Sequence, residues 1–155
     1  MLRKFVAALI ALAPAAAVTA QTVAAAPDFT NARAAPGSWG YQSTAGGSMA
    51  RFVDMTGTAR LVLECTKATR RVSVSLTSAA PAASLSLWTS IASRNMPARF
   101  EANAMRVTAE LGAYDPLLDA IAFSRGRIAV TMPGGVPLVA PAWPEAARTV
   151  EDCRI

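Results

Sequence analysis

The chain has 155 residues, a formal net charge of +5 and no histidine. The length suits one domain with room for a core. Without histidine the commonest general base and metal ligand are missing, and two cysteines alone cannot build a zinc site.

Met1-Leu2-Arg3-Lys4 is a positive segment, followed by an apolar run from Phe5 to Ala17. Val18-Thr19-Ala20 fits the small-x-small rule for signal peptidase, and Ala24-Ala25-Ala26 offers a second cut. The apolar run spans about 13 residues where a membrane span needs roughly 20. A cleaved signal peptide over 1–20, or to 26, is therefore expected, with no membrane span afterwards and export to an oxidising compartment where a disulfide persists. Without Arg3 and Lys4, 13 basic residues stand against 10 acidic, a mild net of +3. Residues 21–36 mix alanine, proline and polar residues without a sustained period and are expected to form a flexible lead-in. A single domain is expected over 37–155.

Much of the 53% hydrophobic content is alanine, so the core must come from the larger apolar positions. These follow a period of two. Trp39–Thr44 is a short candidate strand, and Gly46-Gly47 marks a turn. Met49–Met55 alternates and is broken by Gly57. In Ala59–Thr66, Leu61, Leu63 and Cys65 share one face, and Arg60, Val62 and Glu64 share the other. Val72, Val74 and Leu76 alternate with Arg71, Ser73, Ser75 and Thr77. Leu85 and Leu87 alternate with Ser84 and Ser86, which places Trp88 on the polar, more exposed face. Ser93–Pro97 is expected as a loop. Ala98–Ala102 is a short strand partnering Met105–Leu111, where Val107 and Ala109 alternate with Arg106, Thr108 and Glu110. Strands of this period, each with one wet face and turns every 10–15 residues, predict an antiparallel β-sandwich or meander.

Asp115 followed by Pro116 reads as an N-cap and first residue of a short helix near 116–123. Leu117, Leu118, Ile121 and Ala122 form its apolar stripe, and Gly126 is expected to end it. Ile128, Val130 and Met132 alternate as a strand, Pro133-Gly134-Gly135 turns the chain, and Val136–Ala140 returns beside it. Pro144 opens a C-terminal helix near 144–153. There Ala146, Val150 and Cys153 fall on one face. Cys65 faces the core side of its strand, so a Cys65–Cys153 disulfide is predicted between the last helix and a central strand.

Leu117–Arg127, Pro141-Ala142-Trp143-Pro144-Glu145 and Val150-Glu151-Asp152-Cys153-Arg154 together resemble small uncharacterised secreted proteins of sphingomonad-type alphaproteobacteria. A strand ending in cysteine, further strands, a basic turn and a terminal cysteine helix more loosely resemble invasion-associated locus B proteins and a periplasmic accessory protein of type VI secretion. The resemblance implies a β-sandwich-like domain and an envelope location, and it implies no reaction.

Three residues stand out as candidate contacts. Arg125 and Arg127 flank Gly126 at a helix-to-strand turn, where guanidinium and N–H groups suit a carboxylate or phosphate; the competing reading is a helix C-cap with arginines answering the dipole. Trp143 is either an exposed contact or a staple for the last helix. No nucleotide fingerprint, Ser-x-x-Lys motif or dense basic patch is present, so neither a cofactor nor nucleic acid is expected. The reading is an exported, non-enzymatic interaction or envelope accessory module whose partner is an envelope protein or an anionic ligand. The alternatives are an inhibitor of a cell-wall enzyme and a hydrolase with an unrecognised carboxylate site.

Overall fold

The computed structural model describes residues 27–155; the signal peptide expected over 1–20, or to 26, lies outside them. The alternating stretches form two antiparallel sheets. Sheet A contains β1 (Gly37–Thr44), β2 (Gly47–Asp54), β3 (Ala59–Thr66), β4 (Arg71–Thr77), β7 (Arg99–Glu101) and β8 (Arg106–Gly112), in the order β1-β2-β3-β4-β8-β7. Sheet B contains β5 (Ser84–Thr89), β6 (Ser93–Pro97), β9 (Arg127–Thr131) and β10 (Leu138–Pro141), in the order β10-β9-β5-β6. Helices α1 (Pro116–Ala122) and α2 (Pro144–Asp152) complete the domain.

The apolar faces meet in one core. Phe52, Leu61, Leu63, Val72, Val74 and Val107 from sheet A are buried with Leu85, Leu87, Ile128 and Val130 from sheet B. Both helices close this core: Leu117, Leu118 and Ile121 enter it from α1, and Ala146 and Val150 from α2. The Asp115 carboxylate caps α1 by accepting from the Leu117 N–H at 2.8 Å. A cap of this kind stabilises a helix end by about 1 kcal/mol.

Cys65 and Cys153 are bonded, with Cα atoms 5.4 Å apart, inside the range a disulfide requires. Both are buried. The bridge fixes the end of α2 to the inner face of β3. Gly47 lies against the same strand, where an added Cβ would sit 2.1 Å from the Cys65 carbonyl oxygen. Only glycine lets the start of β2 approach the bridged cysteine that closely.

Several elements differ from expectation. Ser93–Pro97 is not a loop. It is β6, paired with β5 from Ser84↔Pro97 to Trp88↔Ser93. Only Met96 of its five residues is buried, so it carries almost no apolar alternation; a sheet-edge strand is held by main-chain bonds instead. The return strand β10 starts at Leu138, beyond Pro137, because proline cannot donate to the ladder. Helix α1 ends at Ala122, capped by Phe123, with no basic residue in its last turn. Gly126, at φ +80°, serves the following turn. The described part of the lead-in, residues 27–36, carries a turn but neither strand nor helix. It runs over sheet B: the Phe29 ring packs edge-on to Trp88 with centroids 5.6 Å apart, and the Ala35 N–H donates to the Val139 carbonyl.

The loop closed by the bridge spans 88 residues, and constraining the unfolded chain over such a length is worth about 4 kcal/mol. Cys153→Ser should therefore lower the free energy of urea unfolding by that order. A loss under about 1 kcal/mol would show that the bridge adds little.

Candidate functional site

The Arg125-Gly126-Arg127 turn is knitted to the β5–β6 turn. Ser90 Oγ accepts from the Arg125 N–H at 2.7 Å. Ser124 Oγ accepts from the Ser90 N–H at 3.1 Å and donates to the Arg127 carbonyl at 2.6 Å. The Arg127 side chain is committed to main-chain oxygens: Nε donates to the Ala32 carbonyl at 2.9 Å and Nη1 to the Gly126 carbonyl at 3.0 Å. It therefore locks the lead-in segment onto the start of β9. The helix-cap reading of the motif fails because α1 has already ended. Arg125 is exposed, and its guanidinium makes no ion pair with a described residue. Neither Asp115 nor Asp119 pairs with these arginines; they pair with Arg94 at 2.6 Å and Arg154 at 2.7 Å.

Trp143 occupies the N-cap position of α2 without a side-chain cap bond, and 44% of it is exposed. The pairing of Pro141 with Arg127 and the bond from Ala142 N to the Gly126 carbonyl bring its main chain toward the same end of the molecule as Arg125. Trp39 is buried and donates its indole N–H to the Pro141 carbonyl at 2.8 Å. Trp88 lies on the outer face of sheet B, half-buried beneath Phe29. Beside it, an apolar hollow of about 250 Å³ is framed by Pro27, Phe29 and Asn95.

A polar hollow of about 370 Å³ lies on the outer face of sheet A, over β3, β4, β8 and β7. Sheet register builds it. Arg51, Val62, Ser75, Thr108 and Arg99 stand in one row across five strands, and Glu64, Ser73 and Glu110 stand in the next. Ser75 and Thr108 are buried on its floor and hydrogen-bonded to each other at 2.9 Å. Val62, on the face expected to be wet, is only 1% exposed. The long stems of flanking arginines can cover such a position while their charged heads stay in water.

Three carboxylates and three arginines line this hollow: Glu64, Glu101 and Glu110 with Arg71, Arg99 and Arg106. Glu110 is held between Arg99 at 2.8 Å and Arg71 at 3.1 Å. The Arg99 guanidinium holds the Glu110 carboxyl below its usual range, burial opposes this, and Arg71 adds to the lowering. Glu110 in turn raises Arg99. Glu64 and Glu110 are separated by two strand spacings, so their main chains lie about 10 Å apart. Glu110 accepts ion pairs from two cations, an arrangement that favours its ionised form.

Four of the remaining acids are engaged in the fold. Asp54 accepts from Thr56 and Thr58 in the β2–β3 turn, and the Thr56 hydroxyl is the main cause of its lowering to about 2. Asp115 caps α1, Asp119 pairs with Arg154, and Asp152 accepts from the Tyr41 hydroxyl. Among the described residues no cluster of acidic or cysteine side chains is placed to hold a metal.

Glu64, Arg71, Ser73, Arg106 and Glu110 were already visible as wet positions of their strands, as were Ser75 and Thr108, which the structure buries; the sequence pattern assigns no face to Arg99 and Glu101. The convergence of these residues was not visible, because it depends on β4 lying beside β8, more than 30 residues later in the chain. No family model, curated protein or solved structure matches the chain.

The two arginines of the turn should separate in thermal unfolding. Arg127→Ala removes two charge-assisted bonds at a half-buried site and should cost about 1–3 kcal/mol. Arg125→Ala should stay within about 0.5 kcal/mol of the parent. Equal losses for both would mean that Arg125 is also a structural residue.

Proposed function

We propose that the protein is an exported, non-enzymatic interaction module of the cell envelope, and that it presents the hollowed outer face of sheet A to a polar protein surface. The observation that carries this reading is the row of arginines and glutamates around Ser75 and Thr108, held on rigid strands. Charges of both signs in equal number match a protein surface better than a polyanion, because a polyanion would meet Glu64, Glu101 and Glu110 unfavourably.

Export is supported by the bridge between two buried cysteines, since such bonds persist in oxidising compartments. It is supported also by the leader-like pattern of residues 1–20 and by the resemblance to secreted envelope proteins. No helix among the described residues is long and apolar enough to cross a membrane. A wall-degrading enzyme is one partner this reading accommodates, which would make the module an inhibitor.

Capture from envelope extract tests the reading when variants are compared. Parent protein and Arg125→Ala should retain the same partner. Arg99→Glu combined with Arg106→Glu should lose it while keeping the parent's melting temperature within a few degrees. Capture indifferent to the double substitution would remove the hollow from the account. Turnover of an envelope polymer that disappears in Glu64→Gln would replace the module with an enzyme.

A further inference from the structure

Thr89, Ile128 and Ala140 lie in one row across β5, β9 and β10. Strands β5 and β10 run toward that row, and β9 sets out from it. Three connections therefore meet at one end of sheet B: residues 90–92, 123–126 and 142–143. Hydrogen bonds tie them together. Ser90 Oγ accepts from the Arg125 N–H, Ser124 Oγ accepts from the Ser90 N–H, and the Ala142 N–H donates to the Gly126 carbonyl at 3.3 Å.

Each connection holds one large apolar side chain in water. Ile91 is 63% exposed, Phe123 68% and Trp143 44%. A lone exposed apolar residue is ordinary, but three on bonded neighbours form a patch of the kind that marks an interaction surface. Turns are more often filled by small or polar residues.

The charge at this end has one sign. Arg125 is exposed. Arg127 donates to carbonyl oxygens, which leave its charge unneutralised. Exposed Arg33 follows Ala32, the residue whose carbonyl Arg127 Nε reaches. None of the three forms an ion pair with a described residue. Neither the three connections nor residues 29–36 hold an acid. The acids closest in sequence are occupied or turned in: Asp28 accepts from Thr30, Asp119 pairs with Arg154, and Glu145 buries one carboxylate oxygen.

We propose that this end of sheet B docks on the surface of an anionic phospholipid bilayer. Ile91, Phe123 and Trp143 enter the boundary between headgroups and acyl chains, where aromatic and aliphatic side chains of peripheral proteins settle. Arg33, Arg125 and Arg127 meet the lipid phosphates, to which guanidinium groups bond well. Charge selects a bilayer over a protein. A headgroup layer is anionic throughout, and it matches cations of a single sign; a protein surface mixes signs, as the polar hollow does. Three side chains of this size give reversible, peripheral binding. The docking is independent of the hollow, which lies on the other sheet.

Tryptophan fluorescence with vesicles is the test, on the protein purified in its processed form without the leader. Trp39 is buried and Trp88 lies half-buried beneath Phe29, so Trp143 is the indole most open to water. Vesicles with about one-third phosphatidylglycerol in phosphatidylcholine supply the anionic surface and should shift the emission to the blue. Trp143→Phe should remove that shift while the protein still sediments with the vesicles. Ile91→Ser combined with Phe123→Ser should weaken co-sedimentation at least tenfold, and so should Arg33→Glu combined with Arg125→Glu. All four positions are exposed, so both double variants should melt within a few degrees of the parent. A parent that ignores the anionic vesicles, or binds phosphatidylcholine alone equally well, would overturn the docking. Vesicle binding untouched by both double variants, or the same blue shift with inorganic phosphate alone, would overturn it too. Loss of a captured envelope protein, and not of vesicles, in the Ile91→Ser, Phe123→Ser variant would make this end a protein contact instead.

Discussion

The bond between Cys65 and Cys153 sets the architecture. It joins the last helix to the inner face of a central strand across most of the domain's sequence. On that face α2 contributes Ala146, Val150 and the buried Thr149, beside Phe52, Leu61 and Leu63. A nine-residue helix is too short to be stable alone in water, so it exists because it is packed and tethered. Around the bridge the chain has little freedom. Gly47 must lack a side chain to pass the Cys65 carbonyl, and Tyr41 reaches over to donate to Asp152 beside the bridged residue.

With the inner faces committed to the core and the helices, function is left to outer faces and edges. Sheet A's outer face gathers charge and hydroxyl groups in rows set by register, and Glu110 meets an arginine on each neighbouring strand. Sheet B's outer face is occupied by the segment before β1 through Phe29, Ala32 and Ala35. The two sheets thus differ in kind: one outer face is crossed by the chain's own segment and keeps an apolar hollow beside Trp88, and the other is open and polar. At the far side of sheet A, β1 is an edge strand without a charge or a proline.

Much of the fold was legible because alternation reports burial directly. The strand Ala59–Thr66 has the bounds its pattern implied, and the faces of Cys65 and Cys153 were enough to pair them. Asp115-Pro116 marked a helix start because the chemistry of a cap is local. Three things were not legible. The strand Ser93–Pro97 lacks a side-chain signature, since main-chain pairing alone holds it. The role of Arg127 depends on Ala32, a carbonyl 95 positions away. The polar hollow depends on strand order, which no local pattern encodes, although Glu64, Arg71, Ser73, Arg106 and Glu110 were each placed on the outer face of their strand.

Hydrogen exchange in the oxidised and the gently reduced protein tests the claim that the bridge holds α2 on the core. In the oxidised protein the amides of Ala147 to Asp152 should exchange about as slowly as those of β3. After reduction they should lose protection by at least tenfold while the amides of β4 and β8 keep theirs. If protection in α2 is the same with and without the bond, helix packing alone closes the core and the bridge is incidental.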